Sequence, residues 1–252
     1  MKQEDFKLIV IPYFAKGAQG RELEFAVTGW RKFAKFPYRI VVVGDHHPIV
    51  DTGEDIDFIP CERVPETDIR NYRPHLDFIK KFEAVGANYA DCTDGFVFVA
   101  DDCYTINPVT YEEVVSLKYI EGGIDFDPNS PNPWRRDAMK TKRLLQSMGY
   151  PDRNFTTHLP VYFEWDKFHE MVETFGMRNN SYVVEDLYFN YFHPIDGAIE
   201  INGDDIYKCS VATTHPDPGR IMSAFQTKKW LNNNTDGYVP MLENMLASYY
   251  GI

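Results

Sequence analysis

Two adjacent carboxylates, Asp101 and Asp102, close a run of strand-forming residues in "GFVFVADDCY", residues 95–104. Like charges this near repel unless a cation, a shared proton or a basic neighbour resolves the conflict. A divalent cation does so directly, because oxygen ligands suit Mg²⁺ or Mn²⁺ and those ions commonly bridge protein carboxylates to nucleotide phosphates. A strand end that caps a turn is the structural alternative for the same pair. Cys61, Cys92, Cys103 and Cys209 lack C-x-x-C spacing, which speaks against a zinc site or a disulfide framework and for a reducing, cytoplasmic compartment.

Positioning the carboxylates requires a scaffold, and the chain supplies an alternating one. "KLIVIPYF" and "YRIVVVGD" read as strands covered on both faces. Between them Leu23, Phe25, Ala26, Trp30 and Phe33 fall near helical spacing, giving a βαβ unit. "IDFIPC" predicts a third strand, and Leu76, Ile79, Phe82 and Val85 an amphipathic helix before "GFVFVA". Alternation of this kind predicts an α/β domain with a mostly parallel sheet flanked by helices. Ligands bind beyond the carboxyl ends of such strands, so Asp45 and the Asp101–Asp102 pair should share one rim.

After residue 107 the pattern becomes shorter and more aromatic. "FDPNSPNPWRRD" reads as a Pro/Asn loop, "AMKTKRLLQSMG" as a helix, and "HLPVYFEWDKFHEMVETFG" as a strand and a helix. "VVEDLYFNYF" predicts a helix, "YKCSVATTH" a strand, "NNN" at 232–234 a polar turn, and "YVPMLENMLASYY" a final amphipathic helix. With no repeat and no clean linker, one domain over 1–252 is expected, divided at about residue 107 into two halves.

The net charge of −12 argues against a nucleic-acid partner, since that affinity is built from Lys and Arg neutralising phosphates. Sixteen Tyr and eighteen Phe exceed ordinary core needs and suit sugar or base pockets. No apolar run reaches membrane-span length, so any membrane contact is expected to be peripheral.

"FVFVADDCY" resembles the metal-binding segment of GT-A glycosyltransferases, in which a hydrophobic strand ends in a D-x-D-like motif. "IVIPYF" resembles their first nucleotide-binding strand, "VVVGD" the second, and "THLPVYFEWDKF" with "VVEDLYFNYF" the acceptor-side and catalytic segments of bacterial members. The resemblance runs from about residue 7 to 216. It implies a GT-A-like fold, with 1–107 the nucleotide-sugar half and 108–252 the acceptor half. A strict D-x-D reading from Asp101 would put an acid where Cys103 stands. The resemblance therefore implies Asp102 as the direct Mn²⁺ or Mg²⁺ ligand, with Asp101 on metal-bound water or the ribose.

It implies His215, in "SVATTHPDP", as a further metal ligand, with His158 a rival whose place looks acceptor-side. Asp186 or Glu185 would take the acceptor proton, Asp186 being preferred, although both also suit the first turn of a helix. Arg70, Arg73 and Asp77 would meet the base and diphosphate of the donor. Pro12, Tyr13 and Phe14 would surround the nucleobase, and Asp45 would bind uracil or ribose, a UDP-sugar being favoured. Trp134 and Arg135, in "WRRD", would cover donor phosphates or stack on acceptor, and Tyr162 would line the acceptor side.

The expected activity is metal-assisted transfer of a sugar from a nucleotide donor to a hydroxyl of a glycan or lipid-linked acceptor, in bacterial surface-polysaccharide assembly. One alternative is a Stealth-type sugar-phosphate transferase, against which stands the absence of "VYTWVDG"-like and "NLHRIPG"-like segments. The other is a non-catalytic nucleotide- or carbohydrate-binding module on a decayed transferase scaffold.

Overall fold

The computed structural model describes residues 6–65, 74–194, 197–202 and 207–252. The chain opens with β1 (Lys7–Tyr13), α1 (Glu22–Phe33), β2 (Tyr38–Gly44), a short 3₁₀ turn at Pro48–Asp51, β3 (Ile56–Pro60), α2 (Pro74–Tyr89) and β4 (Gly95–Phe98). It continues through β5 (Cys103–Thr105), α3 (Tyr111–Val115), β6 (Lys118–Ile120), α4 (Pro133–Ser147), β7 (Val161–Glu164), α5 (Trp165–Thr174) and α6 (Val184–Phe192). It closes with β8 (Ile199–Ile201), β9 (Lys208–Val211), α7 (Pro218–Thr227), β10 (Trp230–Asn233) and α8 (Pro240–Tyr250).

The central sheet has the order β3-β2-β1-β4-β7. Its first four strands run parallel and β7 runs antiparallel to β4. This is the mixed, mostly parallel α/β sheet that the sequence predicts. The strands are buried on both faces, so residues alternate between two cores. Ile9, Ile11, Ile40, Val42 and Val97 pack on the side of α1 and α8, while Leu8, Val10, Val41, Val43, Phe96 and Phe98 pack on the side of α2, α5 and α6.

A second sheet, β5-β10-β9, stands at the carboxyl end of β4. β10 pairs antiparallel with β5 and parallel with β9. Asp101 and Asp102 form the turn between β4 and β5, so the pair lies at the junction of two sheets as well as beyond a strand end. Gly29 lets α1 approach β5 closely, since a Cβ there would stand 2.7 Å from the Thr105 carbonyl oxygen.

Two sequence readings are corrected. "NNN" is not a polar turn: Asn232 and Asn233 belong to β10 and are 7% and 1% exposed. Their amides find partners across the sheet, so a polar sequence forms a buried strand. The "WRRD" segment is not a loop. Asn132 caps the backbone N–H of Trp134 at 2.9 Å and Pro133 occupies the first helical turn, so Trp134 and Arg135 begin α4. After His215 the chain forms α7, capped by Asp217 with Pro218 at its start.

Gly44 ends β2 at φ +136°, and a Cβ there would lie 2.0 Å from the Tyr13 carbonyl oxygen. The clash is with backbone, which cannot move without breaking the β1–β2 ladder. Gly44→Ala is expected to destabilise the chain by about 3 kcal/mol, a fall in Tm of roughly 6–12 °C by thermal unfolding.

Candidate functional site

Beyond the carboxyl ends of β1 and β4 lies a cavity of about 240 Å³. Pro12 and Phe14 form part of its apolar wall, and Gln19 and Glu22 approach from the start of α1. Asp101 and Asp102 line it from the sheet junction, and Arg63, Asp77 and Lys81 line it as well. The lining therefore carries both signs of charge.

Glu22 anchors the acidic part. Its Oε1 accepts from Asn233 Nδ2 at 2.6 Å and its Oε2 from the Gln19 backbone N–H at 2.5 Å. Asn233 Oδ1 in turn accepts from the Tyr104 hydroxyl at 2.5 Å. These bonds favour ionised Glu22, while burial pushes its pKa up. Asp101 and Asp102 sit in its field. Burial first, then the Asp102 and Glu22 charges, pushes Asp101 up to about 8. Burial and the Glu22 charge push Asp102 up to about 7. Asp102 Oδ1 is buried without a hydrogen-bond partner.

The cationic part is held more firmly. Lys81 Nζ pairs with Asp77 Oδ2 at 2.8 Å, and Asp77 Oδ1 accepts from the Val64 N–H at 2.9 Å. The Arg63 guanidinium lies over the Phe14 ring, 4.1 Å from its centroid. Tyr13 is buried edge-on against His47, and its hydroxyl feels both Asp101 and Asp45. Asp45 accepts from the Ala15 N–H at 2.9 Å, so it fastens the loop after β1 at the same rim.

A second chamber, of about 350 Å³, shares Phe78, Phe98 and Ala100 with the first cavity. Trp134, Phe155, Leu159 and Val161 add apolar wall, and Glu185, His75 and His158 are its ionisable members. Glu185 Oε2 is buried without a partner, and burial pushes the pKa of Glu185 up to about 7. His75 is 1% exposed, neither ring nitrogen has a partner, and desolvation lowers its pKa to about 3. His75 thus enters the wall as a neutral ring, beside Phe78 at 6.0 Å and Trp134 at 6.5 Å. His158 holds a φ of 53° and is reached by cavity solvent. Protein crowds its ring even so, and with the Lys208 cation this lowers its pKa to about 4. Lys208 Nζ donates to the Thr157 carbonyl at 2.6 Å, fixing the wall segment before His158.

The structure separates Glu185 from Asp186. Asp186 is 0% exposed, and its Oδ1 accepts from the Phe155 N–H at 2.6 Å. It ties α6 to the segment before β7 and faces neither cavity. Its Oδ2, like Glu185 Oε2, is buried without a partner, so what distinguishes the two carboxylates is that Glu185 lines the chamber and Asp186 does not.

Among the other predicted residues, His215 is exposed beside Thr214 and does not line the carboxylate cavity. Arg135 is exposed over the Phe126 ring, and Tyr162 packs edge-on against Tyr111, so neither lines the chamber. Arg70 and Arg73 lie outside the described residues. Cys103 is buried in the core on the α1 side of the sheet, turned away from the cavity its position in the motif would serve. Among the described residues no three His, Cys, Asp or Glu side chains stand together as a metal-binding group. Sequence reasoning missed Glu22, Arg63, Lys81 and Asn233. Glu22 follows β1 and opens α1, where the strand-end rule that gathers Asp45 would have found it.

No family model and no curated protein sequence matches the chain. Solved structures are similar to it in architecture at low identity. One is a glycosyltransferase involved in glycosylating the major capsid of PBCV-1, 9% identical, TM-score 0.46, covering 98% of this chain and 100% of that one. Another is the galactosyltransferase LgtC in complex with donor and acceptor sugar analogues, 14% identical, TM-score 0.46, covering 97% and 95%. A third is the bifunctional glycosyltransferase WbbM, 10% identical, TM-score 0.47, of which this chain spans 46%.

Two outcomes follow from the titrating groups. Between about pH 4 and 8 native Asp101 and Asp102 hold protons that the unfolded chain has released. With EDTA present, Tm should therefore fall as pH rises through that window, softened by cavity water, and fall less in Asp101→Asn. His75→Phe removes two unpartnered buried nitrogens next to a cavity that can take the larger ring. It should stabilise the chain by about 1–2 kcal/mol, or roughly 2–8 °C in Tm.

Proposed function

We propose that the chain transfers a sugar from a nucleoside-diphosphate donor to an acceptor hydroxyl. The observation that carries this reading is the pair of chambers with a common wall at Phe78, Phe98 and Ala100, one lined by both signs of charge and the other by Glu185. In the first, Pro12 and Phe14 flank the nucleobase. Arg63 and Lys81 offset the charge that develops on the departing diphosphate. In the second, the acceptor oxygen meets the anomeric carbon as the bond from that carbon to the diphosphate oxygen breaks. The electron pair leaves on the nucleoside diphosphate, and Glu185 takes the acceptor proton.

A divalent cation fits the acidic part of the first cavity, where Asp102 Oδ1 lacks a partner and the Asp101 and Glu22 charges are near. Asp102 and Asp101 would hold Mn²⁺ or Mg²⁺, which when bound neutralises charge on the diphosphate. A UDP-sugar is the favoured donor. Among the described residues no helix is long and apolar enough to cross a membrane.

The test is a thermal-shift panel of nucleoside diphosphates with Mn²⁺, Mg²⁺ or EDTA, followed by product analysis. One diphosphate at a hundredfold over its Kd should stabilise the protein by about 2.7 kcal/mol, and Asp102→Ala should abolish the metal-dependent part. Glu185→Gln should lower kcat by about 10²–10⁴-fold with donor binding intact. Release of nucleoside monophosphate in place of diphosphate would sink the reading in favour of sugar-phosphate transfer.

A further inference from the structure

The second chamber has a composition that a polyhydroxylated sugar does not match. Most of its lining is apolar, Phe78, Phe98, Trp134, Phe155, Leu159 and Val161 being its large side chains. Among the described residues no Lys or Arg lines it, so those residues offer a phosphate or carboxylate no cation in contact. His75 contributes a neutral ring whose nitrogens water does not reach. Glu185 likewise has one buried oxygen with no partner, Oε2, but its side chain is only half-buried and lines the chamber, so an entering hydroxyl can reach its carboxyl group. The volume is about 350 Å³. A dry apolar cavity of about 150 Å³ holds one benzene, so the chamber accepts a body of one or two rings and little more.

We infer that this chamber is the acceptor site for an uncharged aromatic alcohol, a flat one- or two-ring body bearing a hydroxyl that pairs with Glu185. The assignment deepens the glycosyl-transfer reading and, as an acceptor assignment, rests on it. Trp134 supplies a face for the ring from the first turn of α4, where its own position is fixed by the Asn132 cap and by edge-on contact with Phe126 at 5.1 Å. A free sugar would lose solvent at several hydroxyls and regain few partners, the polar lining outside Glu185 being the two histidines, Thr156 and Thr157.

The test is direct binding at pH 7.5 by the full chain, without turnover, read by tryptophan quenching and calorimetry. The probes are 2-naphthol, naphthalene, 2-naphthyl phosphate and methyl β-D-glucopyranoside. The expected result is saturable one-to-one binding of 2-naphthol. Naphthalene should bind about tenfold weaker or more because it leaves Glu185 unpaired, and neither the phosphate nor the glucoside should displace 2-naphthol. Trp134→Leu should weaken 2-naphthol by about tenfold or more. Glu185→Leu should remove the preference for 2-naphthol over naphthalene. Unchanged Tm in each variant separates lost contact from lost fold, and Trp134→Phe and Glu185→Gln, which keep an aromatic face and a hydroxyl partner, should bind 2-naphthol better than Trp134→Leu and Glu185→Leu. Displacement of 2-naphthol by the glucoside, or 2-naphthol affinity indifferent to both positions, overturns the assignment. Nucleoside-diphosphate binding on the same samples is a separate readout. Its failure with 2-naphthol binding intact would defeat the transferase reading while leaving the ligand class of the chamber standing.

Discussion

Three carboxylates, Glu22, Asp101 and Asp102, line one cavity at the junction of two sheets and feel one another's charge, and the surrounding structure responds to that buried charge. Glu22 receives two bonds that favour its ionised form, one from Asn233 and one from the Gln19 backbone, whereas Asp101 and Asp102 each have only a backbone N–H against burial and neighbouring charge. Asp102 keeps an oxygen without a partner, and both aspartates are pushed toward protonation. The network thus favours the charge on Glu22 against its burial and leaves the two aspartates to be settled by whatever enters the cavity. Asn233 can serve Glu22 because β10 is inserted between β5 and β9, and α1 can bring Glu22 there because Gly29 admits close contact with β5.

The two chambers differ in kind although they touch. The first balances carboxylates against Arg63 and Lys81, an environment for a ligand with strong charge separation. The second is aromatic and almost dry of polar groups. Phe98 ends β4 and Phe78 rises from α2, so the lining that the two chambers share is made by rings that also pack against one another, at 5.5 Å between centroids. Shared rings of this kind cannot shift without disturbing the α2 side of the sheet.

Much of the architecture was legible because buried parallel strands advertise themselves as unbroken apolar runs, as in "KLIVIPY" and "YRIVVVG". Short elements with polar sequences were not. β10 reads "WLNN", and its burial depends on partners more than a hundred residues away, which no local pattern reveals. The start of α4 was hidden by the Pro/Asn run before it, although Asn132-Pro133 is itself a helix-start signal. Among site residues, Asp101, Asp102, Pro12, Phe14, Asp77, Trp134, His158 and Glu185 come to the cavities. The distinction between Glu185 and Asp186 could not be made from adjacency, because consecutive helical residues point about 100° apart and only the packing of α6 decides which faces the chamber.

The bond from Asn233 to Glu22 spans 211 residues. During translation, at about 5–20 residues per second, the partner of Glu22 leaves the ribosome some 10–40 s after Glu22 itself. Before Asn233 emerges, β1 to β4 can come to pair once β4 is made, but β5 has no neighbour and Glu22 lacks the Asn233 amide. The nascent chain therefore carries an open strand edge and an unsatisfied acid at the same spot, and the carboxylate cavity becomes complete only as the last strand slides between two that have been waiting for it.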